Sequence, residues 1–393
     1  MLICAFNTFM SSNHTKSPLR NSSRPDRFKA YRPLLSKGAV VLSWFFPAGL
    51  PKRRWARRLL VSVFIVVALG TSTMYAVALW YTHSQPDKPT TLGVSFIPDY
   101  AIYLGVDPHE TLQSLLHIGV RHLRLVSYWS DIETTQGTYD FSELDSEMAQ
   151  AQSAGAKVTL AIGLRQPRWP ECHAPSWIDT TQPSSMWTPQ LNTFMTAVIN
   201  RYKASPALES YQLENEFYNH FGTCTDFTRA RLDSELQLTR QLDSRHPVII
   251  SRSDNYKGFS IKKPLPDIVG ISVYRRVWDG TLTKRYLQYP FPSWYYAFLA
   301  GTQQILTGKP SVLHELQTEA WPPHGLDIKA TSLSEQNKSF DARRMQATID
   351  FGKQTGLKTI DLWGAEYWYY RMQVLHDPSL WQTAERNFGH VKK

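Results

Sequence analysis

From Leu92 onward, short apolar runs alternate with longer stretches whose apolar positions recur at helical spacing. The runs predict eight strands: Leu92–Phe96, His122–Val126, Val158–Gly163, Tyr211–Leu213, Val248–Ser251, Ile268–Tyr274, Ser311–Glu315 and Thr359–Trp363. Between them, Asp107-Pro108 is a helix cap and first turn, and Leu112, Leu115 and Leu116 give that helix one apolar face up to Gly119. Further helices are predicted over Ser142–Ala154, Thr188–Tyr202, Asp226–Leu242, Ser293–Leu306 and Ser334–Thr355, with a last one from Asp377-Pro378 through Arg386. Eight strands alternating with helices in 302 residues (393 minus 91) is the pattern of a (β/α)8 TIM barrel, although the helix after the fifth strand is missing or very short. A doubly wound open sheet is the alternative, but no Gly-rich phosphate loop follows the first strand.

The pattern is different upstream. Residues 59–81 carry no charge, and 23 mostly apolar residues suffice for a helix across a bilayer core of roughly 30 Å. Lys52, Arg53, Arg54, Arg57 and Arg58 precede this stretch, which places the N-terminus in the cytoplasm and the rest of the chain outside. A cleaved signal peptide normally begins near residue 1 and has a shorter apolar core, so an uncleaved signal anchor is the expectation. The chain then divides into a basic, disordered cytoplasmic tail (1–58), the transmembrane anchor (59–81), a polar linker (82–91) and the barrel (92–393).

Charge adds a restriction once it is located. The net charge is +10, but residues 1–58 hold twelve Lys or Arg and one acid, leaving 31 basic and 32 acidic side chains in the remainder. The folded part therefore has no basic excess of the kind that recommends a nucleic-acid partner. The basic tail suits anionic lipid headgroups.

In a barrel the side chains just past each strand line one mouth. Here they are Arg124, Tyr128 and Trp129; Arg165 and Trp169; Asn215 and Glu216; Ser253 and Asp254; Tyr274 and Trp278; Glu315, Gln317 and Glu319; Trp363 and Glu366. Aromatic faces stack on sugar C–H surfaces, while carboxylates and amides bind hydroxyls. Two carboxyls on two strand ends, Glu216 and Glu315, are the minimum for cleaving a glycosidic bond. Glu214 competes with Glu216, because strand alternation gives both the same side. Glu319 competes with Glu315, which is preferred because it ends the apolar strand directly.

These residues carry a resemblance. Arg124, Tyr128-Trp129 followed by Glu133 and Gly137–Phe141, Asn215-Glu216, Tyr274, Glu315 and Trp363 fall in an order similar to that of the clan A retaining β-glycoside hydrolases, which include cellulase-like and β-galactosidase-like families. The likeness covers about residues 92–371. It implies Glu216 as general acid/base and Glu315 as nucleophile, with Arg124 and Tyr274 holding Glu315 ionised. It also implies Asn215 on the sugar 2-hydroxyl and Trp363 as the floor of the subsite, with Gln317, Glu319 and Trp169 in supporting positions. The substrate would be a β-linked oligo- or polysaccharide. Cys172 and Cys224 fall on neighbouring loops of an outward-facing domain and are expected to pair. His173, His220 and His314 lack metal-ligand spacing, so neither a metal nor a cofactor is expected. The alternatives are a catalytically inactive glycan-binding barrel and a structural membrane protein.

Overall fold

The computed structural model describes residues 54–85, 89–252, 259 and 261–389. Most of the basic tail, along with Ser253 and Asp254, lies outside the described residues. The chain divides into two compact units within its first described helix, α1 (Arg54–Ser84): one ends at Leu69, the other runs from Gly70 to Lys393. In the first unit the described residues are helical and mostly exposed.

The second unit continues from α1 through β1 (Thr91–Ser95), α2 (Pro98–Leu104), α3 (Pro108–His117), β2 (His122–Leu125), α4 (Trp129–Ile132), α5 (Ser142–Ser153) and β3 (Lys157–Ile162). Next come α6 (Thr188–Tyr202), β4 (Leu208–Leu213), α7 (Arg229–Leu242), β5 (Val248–Arg252), β6 (Ile268–Val273), and the antiparallel hairpin β7 (Arg276–Asp279) and β8 (Arg285–Gln288). The chain ends with α8 (Ser293–Thr307), β9 (Ser311–Gln317), α9 (Leu333–Ser339), α10 (Ala342–Gln354), β10 (Thr359–Trp363), α11 (Ala365–Gln373) and α12 (Ser379–Phe388). Eight strands close into a parallel barrel in the order β1-β2-β3-β4-β5-β6-β9-β10.

The differences from the sequence expectation have local causes. The helix expected over 334–355 breaks at Phe340-Asp341, because the Asp341 side chain accepts a bond from Arg344 N and starts a new helix there. The hairpin β7–β8, with α2 and α11, adds to the mouth side of the barrel. The linker expected at 82–91 is shorter, since α1 continues to Ser84. Ala78 and Tyr81, expected within the membrane span, are buried in the second unit. A Cβ on Gly301 of α8 would lie 2.9 Å from Tyr81 Cβ and 3.1 Å from Val77 Cγ1, so only glycine lets the helices approach this closely.

The interior of the barrel is polar toward its base. His122 Nδ1 lies 2.7 Å from Asp361 Oδ1, and His314 Nδ1 lies 3.2 Å from Asp361 Oδ2. Gly93 faces this cluster; a Cβ there would sit 2.3 Å from Asp361 Oδ1. Burial alone would depress the His122 pKa, but the Asp361 carboxylate, helped by Glu209 at 3.1 Å from Nε2, overrides it and lifts the imidazole to about 10. Burial would likewise raise Asp361, yet the His122 charge holds it well below the usual carboxylate range. His314 is kept neutral by burial and by the nearby Arg124 charge.

This pair sets a pH dependence. The raised His122 pKa gives stability that is complete below its unfolded value, roughly 6.5, and is lost as pH rises through about 10. The depressed Asp361 pKa gives stability that is lost as pH falls below the ordinary carboxylate range. His122→Gln is expected to cost about 3 kcal/mol near pH 6 by leaving Asp361 uncompensated. The gap between wild type and variant should then narrow steadily from pH 7 to 10. Urea unfolding across that range measures it; a constant gap would mean that His122 contributes no charge.

Candidate active site

β9 carries one residue more than its neighbours. Ile271 pairs with Leu313 while Ser272 pairs with Glu315, and the pairing with β10 slips at the same point. This bulge at His314 re-aims the strand, so that His314 and Glu315, although consecutive, both reach inward-facing partners. Arg124 from β2 donates through Nη2 to Glu315 Oε1 at 2.6 Å and through Nη1 to the His314 carbonyl at 3.0 Å. The Tyr274 hydroxyl donates to Glu315 Oε2. Its own pKa is pushed far up, first by burial and then by the Glu315 and Glu216 charges, so it remains a donor. Glu315, at 2% exposure, thus holds a cation on one oxygen and a hydroxyl on the other.

The end of β4 departs from strand alternation. Glu214 and Glu216 both have positive φ, 52° and 44°, and they turn apart. Glu214 accepts from Leu164 N at 2.6 Å and meets Arg231 Nη2 at 3.1 Å, which makes it a strut between loop and helix. Glu216 lines the mouth cavity, and its backbone N–H donates to Ser251 Oγ at 2.9 Å. Asn215 between them is fixed by three bonds. Its Oδ1 accepts from Gln212 Nε2 at 2.7 Å and Ser251 Oγ at 3.2 Å, and its Nδ2 donates to Glu171 Oε2 at 3.0 Å.

Glu319 has different surroundings from Glu315. It accepts from Trp363 Nε1 at 2.8 Å, Trp321 Nε1 at 3.1 Å and Arg168 Nη2 at 3.1 Å. All its bonding goes to orienting two indoles and a guanidinium, and Arg168 also lies 4.6 Å over the Trp363 ring. Gln317 serves as a brace. Its Oε1 accepts from Arg275 N and Arg276 N, each at 2.9 Å, and its Nε2 donates to Arg276 O, which fixes the start of β7.

Glu216, Glu315, Asn215, Tyr274, Glu319, Trp363 and Trp169 line one cavity of about 430 Å³, with Trp169 standing exposed at its rim. Arg124 is fully buried and meets Glu315 from inside the barrel. Arg165 is buried behind Asn215, Glu366 accepts the Ile97 backbone N–H, and Trp278 packs on Tyr286 in the hairpin. A disulfide joins Cys172 to Cys224.

Sequence reasoning missed Arg168, Glu171, Asn219, Phe221, Val277 and Tyr289, all in loops or the hairpin, where no periodicity marks a side chain's direction. The one available signal for Glu171 was its position next to Cys172. Burial raises the Glu171 carboxyl to about 7 despite Arg165 and Asn215, and the Glu315 charge adds to the rise. The cavity therefore holds a fourth carboxyl, beside those of Glu216, Glu315 and Glu319, and burial puts this one near neutrality.

The β-galactosidase family model of glycoside hydrolase family 42 matches residues 108–190. No curated protein matches the chain. Among solved structures, a GH5_18 protein from Bifidobacterium longum subsp. infantis is 15% identical with a TM-score of 0.51, covering 76% of this chain and 79% of its own. A GH5_18 variant from Streptomyces cattleya in complex with Manβ1-4GlcNAc is 13% identical at TM-score 0.51, covering 70% of this chain and 71% of its own. A GH5_18 variant from B. longum subsp. longum, also with Manβ1-4GlcNAc, is 12% identical at TM-score 0.51, covering 77% and 78%. At such identities the likeness shows the fold, a (β/α)8 barrel. By family match and by fold, the chain is similar to the (β/α)8 glycoside hydrolases of clan A.

Proposed function

We propose that the protein is a retaining β-glycosidase in which Glu315 is the nucleophile and Glu216 the general acid/base. The observation that carries this reading is Glu315 itself: a buried carboxylate held by Arg124 and Tyr274, facing the same cavity as Glu216 and Asn215. The Arg124 guanidinium and the Tyr274 hydroxyl each hold one oxygen of Glu315 and so fix its position beside the cavity. In the first step Glu315 attacks the anomeric carbon while Glu216 protonates the departing oxygen. In the second, Glu216 takes a proton from water, which displaces Glu315. Asn215, fixed on three sides, presents its amide to the 2-hydroxyl, and Trp363, oriented by Glu319, supplies the apolar floor.

Two of the solved neighbours hold Manβ1-4GlcNAc, and the family match is to β-galactosidases, so β-mannosyl and β-galactosyl linkages are the first to examine. The membrane reading rests on α1, which contains one stretch long and apolar enough to cross a bilayer, with none of that stretch buried. Arg54, Arg57 and Arg58 at its start favour a cytoplasmic N-terminus. The Cys172–Cys224 disulfide suits an oxidising compartment for the barrel.

The full chain, treated with 2-fluoro glycosides of manno and galacto configuration, should gain the mass of one sugar at Glu315. Glu315→Ala should abolish both adduct and turnover, whereas Glu216→Ala should lower kcat about 10²–10⁴-fold on substrates with poor leaving groups. No adduct from either configuration would argue against the retaining reading for these sugars. An adduct on Glu319 would reassign the nucleophile.

Glu319 gives a separate expectation. Glu319→Gln keeps an acceptor for the indoles but leaves the Arg168 charge uncompensated. The cost should be about 3 kcal/mol in urea unfolding, with a higher KM and a residual kcat. Complete loss of turnover in a folded Glu319→Gln protein would contradict the orienting role.

A further inference from the structure

The exposed apolar side chains of the barrel are unevenly distributed. Ile102, Trp169, Met186, Leu282 and Leu326 all lie on segments that follow strand ends, the end of the barrel where the cavity opens. Ile305 and Leu306, in the last turn of α8, are exposed at the base, and Leu79 and Trp80 of α1 are exposed as well. Leu282 is the extreme case, 88% exposed at the tip of the β7–β8 hairpin. The Asp279 side chain organises that tip by accepting from Thr281 N at 3.0 Å and Thr283 N at 2.7 Å. Lys284 and Arg285 follow at once, both exposed. A fixed apolar tip with two cations beside it matches the boundary between acyl chains and anionic headgroups.

A second observation concerns how the chain enters this unit. Helices of a (β/α)8 barrel run from the mouth back to the base, so Trp294 marks the mouth end of α8 and Gly301 its middle. Tyr75 meets Trp294 edge-on at 5.7 Å, Val77 and Tyr81 flank Gly301, and Thr82 lies against Gly356, in the turn that leads into the base of β10. The segment Gly70–Ser84 thus descends from mouth to base, and the unit is entered at its mouth end.

We infer that the mouth of the barrel faces a lipid surface and that its substrate is a glycan carried on that surface, a glycolipid or lipid-linked saccharide. The substrate class rests on the glycosidase reading; the lipid contact does not. An apolar rim around a polar cavity would hold the mouth against the headgroups, where a membrane-borne sugar is presented end-on.

The test uses the full chain, with Cys4→Ser, in vesicles containing anionic phospholipid. A nitroxide attached through Leu282→Cys should be shielded from a water-soluble relaxation agent and exposed to oxygen. A nitroxide at Arg245, in the base turn between α7 and β5, should remain open to water. Equal water access at both positions would overturn the inference. In parallel, Leu282→Asp should slow cleavage of a long-chain alkyl β-glycoside in the vesicles about fivefold or more, leaving a soluble nitrophenyl β-glycoside within twofold. Equal slowing of both would overturn the membrane-borne substrate. If the wild type cleaves neither, the glycosidase reading falls while the nitroxide result still decides the lipid contact.

Discussion

Arg124 and Glu315 come from strands on different sides of the barrel and meet inside it, both almost fully buried. Charge in such surroundings is tolerated when an opposite charge matches it. Much of the interior follows from this requirement. Arg124 spends a second nitrogen on the His314 carbonyl, which holds the bulge of β9, and the bulge in turn presents Glu315 to Tyr274. Below it, His122, Asp361 and His314 form another matched group, with Gly93 leaving the room they need. The barrel axis is therefore a column of compensated charges with its uppermost carboxylate facing the cavity, and the hydrophobic core lies mainly between strands and helices.

The strands were legible because each is buried on both faces and reads as an apolar run between turn signals. Thr359–Trp363 and Thr188–Tyr202 agree to the residue. Strand ends were legible as a set, since a barrel directs them all to one mouth. The directions of individual side chains there were not. Glu214 and Glu216 share a face in any regular strand, and only the positive φ of both residues sends one to Arg231 and the other to the cavity. The same holds for Gln317, whose type suggests sugar binding but whose amide is consumed by the backbone of residues 275 and 276. An amide's partners are set by folding geometry, which a pattern of residue types does not contain.

The loops show the complementary case, in which the constraint is covalent. Glu171 stands one residue before a disulfide whose other half, Cys224, follows the Asn215–Glu216 segment in the next loop. The bond ties the loop after β3 to the loop that follows Glu216, and beside it Glu171 reaches Asn215 and Arg165. Burial raises the Glu171 carboxyl to about 7. Its neighbour Asn215 therefore senses the ionisation of Glu171 through a direct bond.

The end of α1 has two roles. Ala78 and Tyr81 are 2% exposed against the barrel, so this turn of the helix is part of the fold it leads into. Burying a side chain of that size stabilises by about 2 kcal/mol, and the contact runs through Gly301, where any larger residue would force the helices apart. Residues 75–82 pack against α8 and the turn at Gly356, so this part of the helix belongs to the same unit as Glu216 and Glu315.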